Sequence, residues 1–158
     1  MKLAEALLEK KALAGRISDL QNRYTSAALI EDGESPEEDS ATLLASLGGA
    51  LKRWEELTVQ INQTNNAITV GDTGLTMMQA LARRDIIKMQ QSAYSTISQT
   101  LRSRNRNRNL YGENTPKVVV ADGVNVQYFI KLVDDLGKEY RVLDTAIQAA
   151  NWANDLVA

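Results

Sequence analysis

Four arginines, Arg102, Arg104, Arg106 and Arg108, alternate with polar residues and make the strongest local charge in the chain. Each guanidinium offers a planar fork of donors, so the run could clamp the phosphates of a nucleic acid or of lipid headgroups. The same run also suits a solvated helix end, where positive charge meets the negative pole of the macrodipole. Interspersed asparagines, no aromatic platform beyond Tyr111, and a net charge of −2 favour the helix end. A nucleic-acid or polyanion-binding module using Arg102 to Arg108 is therefore the alternative reading.

Other groups that could do chemistry fall short of a site. Glu31, Asp32, Glu34, Glu37, Glu38 and Asp39 lack the ligand spacing of a calcium loop and read as a solvated acidic loop. Glu55 with Glu56, and Asp134 with Asp135, are adjacent and cannot share one helix face. Val70-Gly71-Asp72-Thr73-Gly74 has no lysine to cradle a phosphate. No serine or threonine sits in a nucleophile elbow or a Ser-x-x-Lys motif. The chain has no histidine and no cysteine. That removes the usual base near neutral pH, thiolate nucleophiles and ligands, disulfides, and the Glu-x-x-His motif of a di-iron bundle. No catalytic residue, cofactor or metal is expected, and the protein reads as non-enzymatic.

The elements that would carry these residues are helices. Val126, Phe129, Val133, Leu136, Tyr140, Leu143, Ile147 and Ala150 recur at alternating steps of three and four. That heptad stripe is the spacing that lets helices pack along one seam, and the first seven are the candidate oligomer seam. An earlier helix over about 2–29 carries Leu3, Ala6, Leu13, Ile17, Leu20, Tyr24 and Ala27, with Lys10 interrupting the stripe. Gly33 and Pro36 then break the chain. A helix over about 40–63, capped by Ser40, carries Leu43, Leu47, Ala50, Trp54, Leu57 and Ile61. Its Gly48 and Gly49 read as tolerated weak points rather than a close approach or hinge. A third helix, over about 76–104 and capped by Thr76 or Thr73, has a looser stripe of Met78, Leu81, Ala82, Ile86, Met89, Ala93, Ile97 and Leu101. A fourth spans about 125–156. A β-like piece at Ala67–Val70 and a strand at about 117–121 predict a minor hairpin, formed within the chain or with another.

The fold expected is all-α: four helices, two or more of them long, in one antiparallel coiled-coil or bundle domain over 1–158 with a minor β-hairpin. At 44% apolar, 24% charged and 5% aromatic, the composition suits aliphatic helix seams. No signal peptide and no stretch long enough to span a bilayer is visible, so a cytoplasmic protein without a membrane is expected. Polar residues at or near the seams, namely Asn62, Thr64, Asn65, Arg83, Arg84, Asp85 and Asn151 with Trp152, read as setting register or partner number. Trp54 and Trp152 are expected in the core or in helix seams.

Several of these residues also carry a resemblance. MKLAEALLEKKALAGRISDLQNR, GESPEED, INQTN, LTMMQALARRD and LDTAIQAANWANDL run almost end to end. Together they resemble a family of small uncharacterised bacterial helical proteins, some of which carry the label septicolysin. The resemblance implies a coiled-coil-rich helical fold with no assigned activity. The label suggests a thiol-activated haemolysin, which a chain without cysteine does not support. Gly48, Gly49 and the Ser/Thr-rich run from Ser92 to Thr100 depart from that family's leucine-rich pattern. The first reading is thus a homo-oligomer joined through heptad seams, with its partners beyond itself unassigned and nucleic acid disfavoured. A membrane-active toxin, as the label suggests, comes last.

Overall fold

The computed structural model describes residues 1–106 and 119–157, apart from the side chains of 104–106. Four α-helices carry it: α1 (Leu3–Ala28), α2 (Ser40–Ala67), α3 (Met77–Arg106) and α4 (Val126–Ala153). The chain is all-α, and no strand of more than one bridge occurs among the described residues. Two compact units divide it. One comprises Met1–Met78 and the residues from Gln148 onward; the other is Gln79–Ile147.

In the first unit α1 and α2 pack antiparallel. Glu9 pairs with Arg53, Lys10 covers Trp54, and Arg23 pairs with Glu38, so positions late in one helix meet positions early in the other. The heptad stripes drive this contact. Leu3, Ala6, Leu13, Leu20 and Ala27 of α1 are buried, as are Leu43, Ala50, Leu57 and Ile61 of α2. A fully buried leucine or isoleucine contributes roughly 1.5–3 kcal/mol, so Leu57→Asp, which also buries a charge, should strongly destabilise this unit. Lys10, the interruption in the α1 stripe, places its ammonium 4.4 Å from the centre of the Trp54 ring. The cation thereby stands where an apolar residue would, in a cation–π contact. Trp54 is accordingly not a core residue but 38% exposed, and Trp152 is 56% exposed. Both were expected in the core or a seam.

Helix ends follow their local chemistry. Asp39, rather than Ser40, caps α2, its carboxylate accepting from the Thr42 backbone N–H at 3.0 Å. The INQTN run extends α2 instead of closing it, carrying the helix on to Ala67. Only 68–76 then remain to reach α3. Thr69 and Thr76 form one antiparallel bridge around a 3-10 turn at Gly71–Thr73, with Gly74 left-handed at φ 69°. Helices on both sides leave no residues for longer strands, so the expected hairpin shrinks to this bridge. Val119–Ala121 is not a strand, and 117 and 118 lie outside the described residues. Asn125 opens α4 by accepting from the Gln127 N–H at 2.9 Å.

The second unit is an antiparallel hairpin of α3 and α4. Arg83 meets Glu139, Lys88 lies over Tyr140, Gln91 reaches the Val133 carbonyl and Tyr94 contacts Phe129. The α4 side of this seam is the expected stripe. Its α3 side is not, and that reversal defines the most informative surface of the protein.

Candidate functional site

Three places bring the sequence's candidate residues together. The first is a clasp of the chain ends in the first unit. The Leu3 N–H, an orphan of the first turn of α1, donates to the Asn154 carbonyl at 3.0 Å, and the Leu156 N–H donates to the Met1 carbonyl at 2.8 Å. Lys2 Nζ lies 3.1 Å from the Asp155 carboxylate. Thr64, fully buried near the end of α2, accepts from the Val157 N–H at 2.9 Å and donates to the Gln60 carbonyl at 2.7 Å. Of the polar residues in INQTN, then, Thr64 holds the C-terminal tail, while Asn62 is exposed and Asn65 half-buried. Asn151 is buried close to the end of α4.

The second place joins two of the motifs. Arg84 of ALARRD donates to Asp144 of LDTAIQAANW at 3.2 Å, and Arg83 Nε donates to Glu139 at 2.7 Å. Asp85 points outward, with its side chain 69% exposed. Arg84, Gln91 and Ser98 occupy one heptad position along α3, and Ala80, Ile87, Tyr94 and Leu101 the other. Ala80, Ile87 and Ser98 are buried and the rest half-buried. Gly137 lets the polar row approach α4, because a Cβ there would stand 3.3 Å from Gln91 Nε2.

The outer face of α3 is the third place. Most of the stripe expected to form its seam instead faces outward: Met78, Ile86, Met89 and Ile97 are exposed, with Ala82 and Ala93 beside them, while Leu81 is half-buried and Leu101 belongs to the inner face. The reason is periodicity. The α4 stripe repeats every seven residues, and the α3 positions from Ala80 to Leu101 are the set that repeats likewise. Heptad meshes with heptad, even though this set holds Arg84, Gln91 and Ser98. Facing α3, the candidate oligomer seam is engaged within the chain: Leu143 and Ile147 are buried, and Val126, Phe129, Val133, Leu136 and Tyr140 are half-buried.

Near the loop that joins α1 to α2 a cleft of about 440 Å³ is lined by Arg16, Asp19, Arg23, Glu38, Asp39 and Thr42 among others. Within it Arg23 pairs with Asp19 and Glu38, and Asp39 accepts from Thr42. The Arg23 guanidinium holds the Glu38 carboxyl below its ordinary value, and hydrogen bonds from Thr42 do the same for Asp39. Arg53 lowers Glu9 in the same way along the helix pair. Among the described residues no group of three His, Cys, Asp or Glu could hold a metal ion, and no helix is long and apolar enough to cross a membrane. Of the arginine run, Arg102 is exposed at the end of α3. Arg104 and Arg106 have side chains outside the described residues, and Arg108 lies outside them altogether.

Gly48 and Gly49 stand in open space, so no neighbouring helix approaches them closely. Sequence reasoning missed the tail-holding role of Thr64 and the partners of Arg83 and Arg84. The alternation at 80, 84, 87, 91, 94, 98 and 101 could have revealed the inner face of α3, had polar residues been admitted to the heptad.

No curated protein matches the chain. A crystal structure of a functionally unknown conserved protein from Corynebacterium diphtheriae is similar to it, at 30% identity, 99% coverage of both chains and a TM-score of 0.82. Residues 10–156, which reach into all four helices and take in every motif except the first residues of α1, match one family model, and the chain belongs to that family of unknown function, DUF6847.

Proposed function

We propose that this protein is a non-enzymatic helical interaction protein of the cytoplasm that acts by self-association. The supporting observation is the outer face of α3, where Ile86, Met89 and Ile97 are 46%, 67% and 39% exposed on one side of a helix. Isolated exposed apolar residues are ordinary, but a stripe of them rimmed by polar residues is the mark of a contact surface. Because the α4 stripe faces α3 of its own chain, the joining role passes from α4 to this outer face. The sequence holds no thiol or imidazole, and in the α1–α2 cleft Arg23 is taken up by Asp19 and Glu38.

The test is absolute mass by light scattering over a concentration series, at low and at high salt. Mass should rise from 17.4 kDa to a discrete multiple, with the same midpoint at both salts because the face is apolar. A mass of 17.4 kDa at every concentration refutes self-association. The alternative, polyanion binding through Arg102 to Arg108, requires affinity for an oligonucleotide that falls steeply with salt and weakens in Arg102→Ala. The septicolysin label carries no weight against either, since thiol activation needs a cysteine. Liposome leakage by the purified protein is the result that would restore it.

A further inference from the structure

The outer face of α3 has a symmetry that its heptad face lacks. Met78, Ala82 and Ile86 recur as Met89, Ala93 and Ile97, each eleven residues on. An eleven-residue repeat is close to the natural winding of the helix, so the stripe runs nearly straight along it. Its steps, four, four, three, four, four, also read the same in both directions. Turned end for end, the stripe superimposes on itself, Ala82 on Ala93 and Ile86 on Met89, with Met78 on Ile97. Resting on the self-association reading, we infer that two copies pack α3 against α3, antiparallel, about a two-fold axis passing between positions 87 and 88.

In that pairing Ala82 of each copy meets Ala93 of the other, and Ile86 meets Met89. Small residues oppose small ones, letting the helices approach, while large ones fill the space between. Each contact occurs twice, as a two-fold interface requires. Charge favours the same geometry. Of the charged residues between Met78 and Ile97, Arg83 and Arg84 turn to Glu139 and Asp144 of α4 and Lys88 lies over Tyr140, which leaves Asp85, its side chain 69% exposed, beside the stripe. Antiparallel copies set Asp85 against the uncharged Gln90, whereas parallel copies would set Asp85 against Asp85, and like charges directly opposed are unfavourable.

The area fixes the strength of the contact. The stripe is about 30 Å long and one helix, about 10 Å, wide, a footprint of roughly 300 Å² on each copy. Stable dimers bury roughly 800 Å² per partner, so this contact is reversible and depends on concentration.

The absence of native cysteine makes the test direct. Under mild oxidation at high protein concentration, a mixture of Ala82→Cys and Ala93→Cys should form disulfide-linked dimers, and each variant alone should form almost none. Met89→Glu should raise the dissociation constant at least tenfold; at 67% exposure the side chain is not part of the core, so the dilute monomer should melt as the parent does. Cross-linking of Ala82→Cys with itself would indicate parallel helices and overturn the geometry. A dimer that survives Met89→Glu and gives no mixed cross-link overturns the α3 face while self-association stands. A monomer at all concentrations overturns both, and leaves the face to a different chain.

Discussion

Replacing Thr64 by valine isolates the bond that ties the tail to α2. Valine keeps the shape of the side chain, so the site stays filled, and only the hydroxyl is lost. That hydroxyl accepts from the Val157 N–H at 2.9 Å and donates to the Gln60 carbonyl at 2.7 Å. The Gln60 carbonyl keeps its helical hydrogen bond. The Val157 N–H does not have a second acceptor, but Val157 is 40% exposed and can turn to water. The cost is therefore that of one ordinary bond, about 1 kcal/mol, rather than that of a stranded buried donor. A loss of that size lowers the melting temperature by roughly 2–4 °C in a chain of this length. Amide exchange at Val157 should quicken about fivefold, since 1.4 kcal/mol corresponds to tenfold and 1 kcal/mol to somewhat less. Thr64→Ser is the control: it keeps the acceptor and drops a methyl group, so it should destabilise while leaving Val157 protected. Thr64→Val with an unchanged melt and unchanged Val157 exchange would refute the clasp.

Two further expectations concern the first unit. Gly48→Ala and Gly49→Ala should each raise stability by about 1 kcal/mol in thermal unfolding, because a Cβ at either position meets nothing within 4 Å and alanine is the better helix former. Acid should loosen the helix pair. The Glu9, Glu38 and Asp39 carboxyls are held below their ordinary values of 4.5, 4.5 and 3.8. A depressed folded-state pKa gives stability that is present above the ordinary value and lost as pH falls through the folded one. Melting temperature should thus be level from about pH 7 to about pH 5 and decline below about pH 4. Glu9→Gln with Glu38→Gln should shallow that decline.

The helices were legible because their stripes are long and their breakers strong. The α1 stripe and the α2 stripe both turned out to face each other, and Lys10, the one irregularity, is the residue that covers Trp54. What misled was the assumption that the most apolar face of a helix is the face it buries. On α3 the heptad of Ala80, Ile87, Tyr94 and Leu101 is interleaved with Arg84, Gln91 and Ser98, and an apolar-only reading passes over it. Tertiary partners decide such cases: Arg84 enters the seam because Asp144 is there to receive it. Nor could local pattern reveal the clasp, since Thr64 and Val157 are far apart in the chain and share no periodicity. The β signal at Ala67–Val70 failed for a plainer reason, that α2 runs on to Ala67 and leaves only 68–76 before α3.

Polar residues inside the α3–α4 seam give up apolar burial, and we propose that they fix the alignment of the two helices in return. Ala80, Ile87, Tyr94 and Leu101 could mesh with a heptad stripe at several offsets. The polar row cannot. Sliding α4 by one heptad takes Arg84 from Asp144 to the level of Gly137 or, in the other direction, of Asn151, and neither bears a charge. A partly buried guanidinium without its carboxylate is costly, and the observed offset pairs Arg84 with Asp144 through Nη1, its Nε making no hydrogen bond, together with Arg83 and Glu139 and with Gln91 and the Val133 carbonyl. On this proposal the pair would supply register more than stability, as polar residues at single heptad positions do elsewhere. The large apolar side chains of α3 stand roughly 150° around the helix from that inner seam, on its exposed side, so the burial given up inside the hairpin is not recovered by them within the chain.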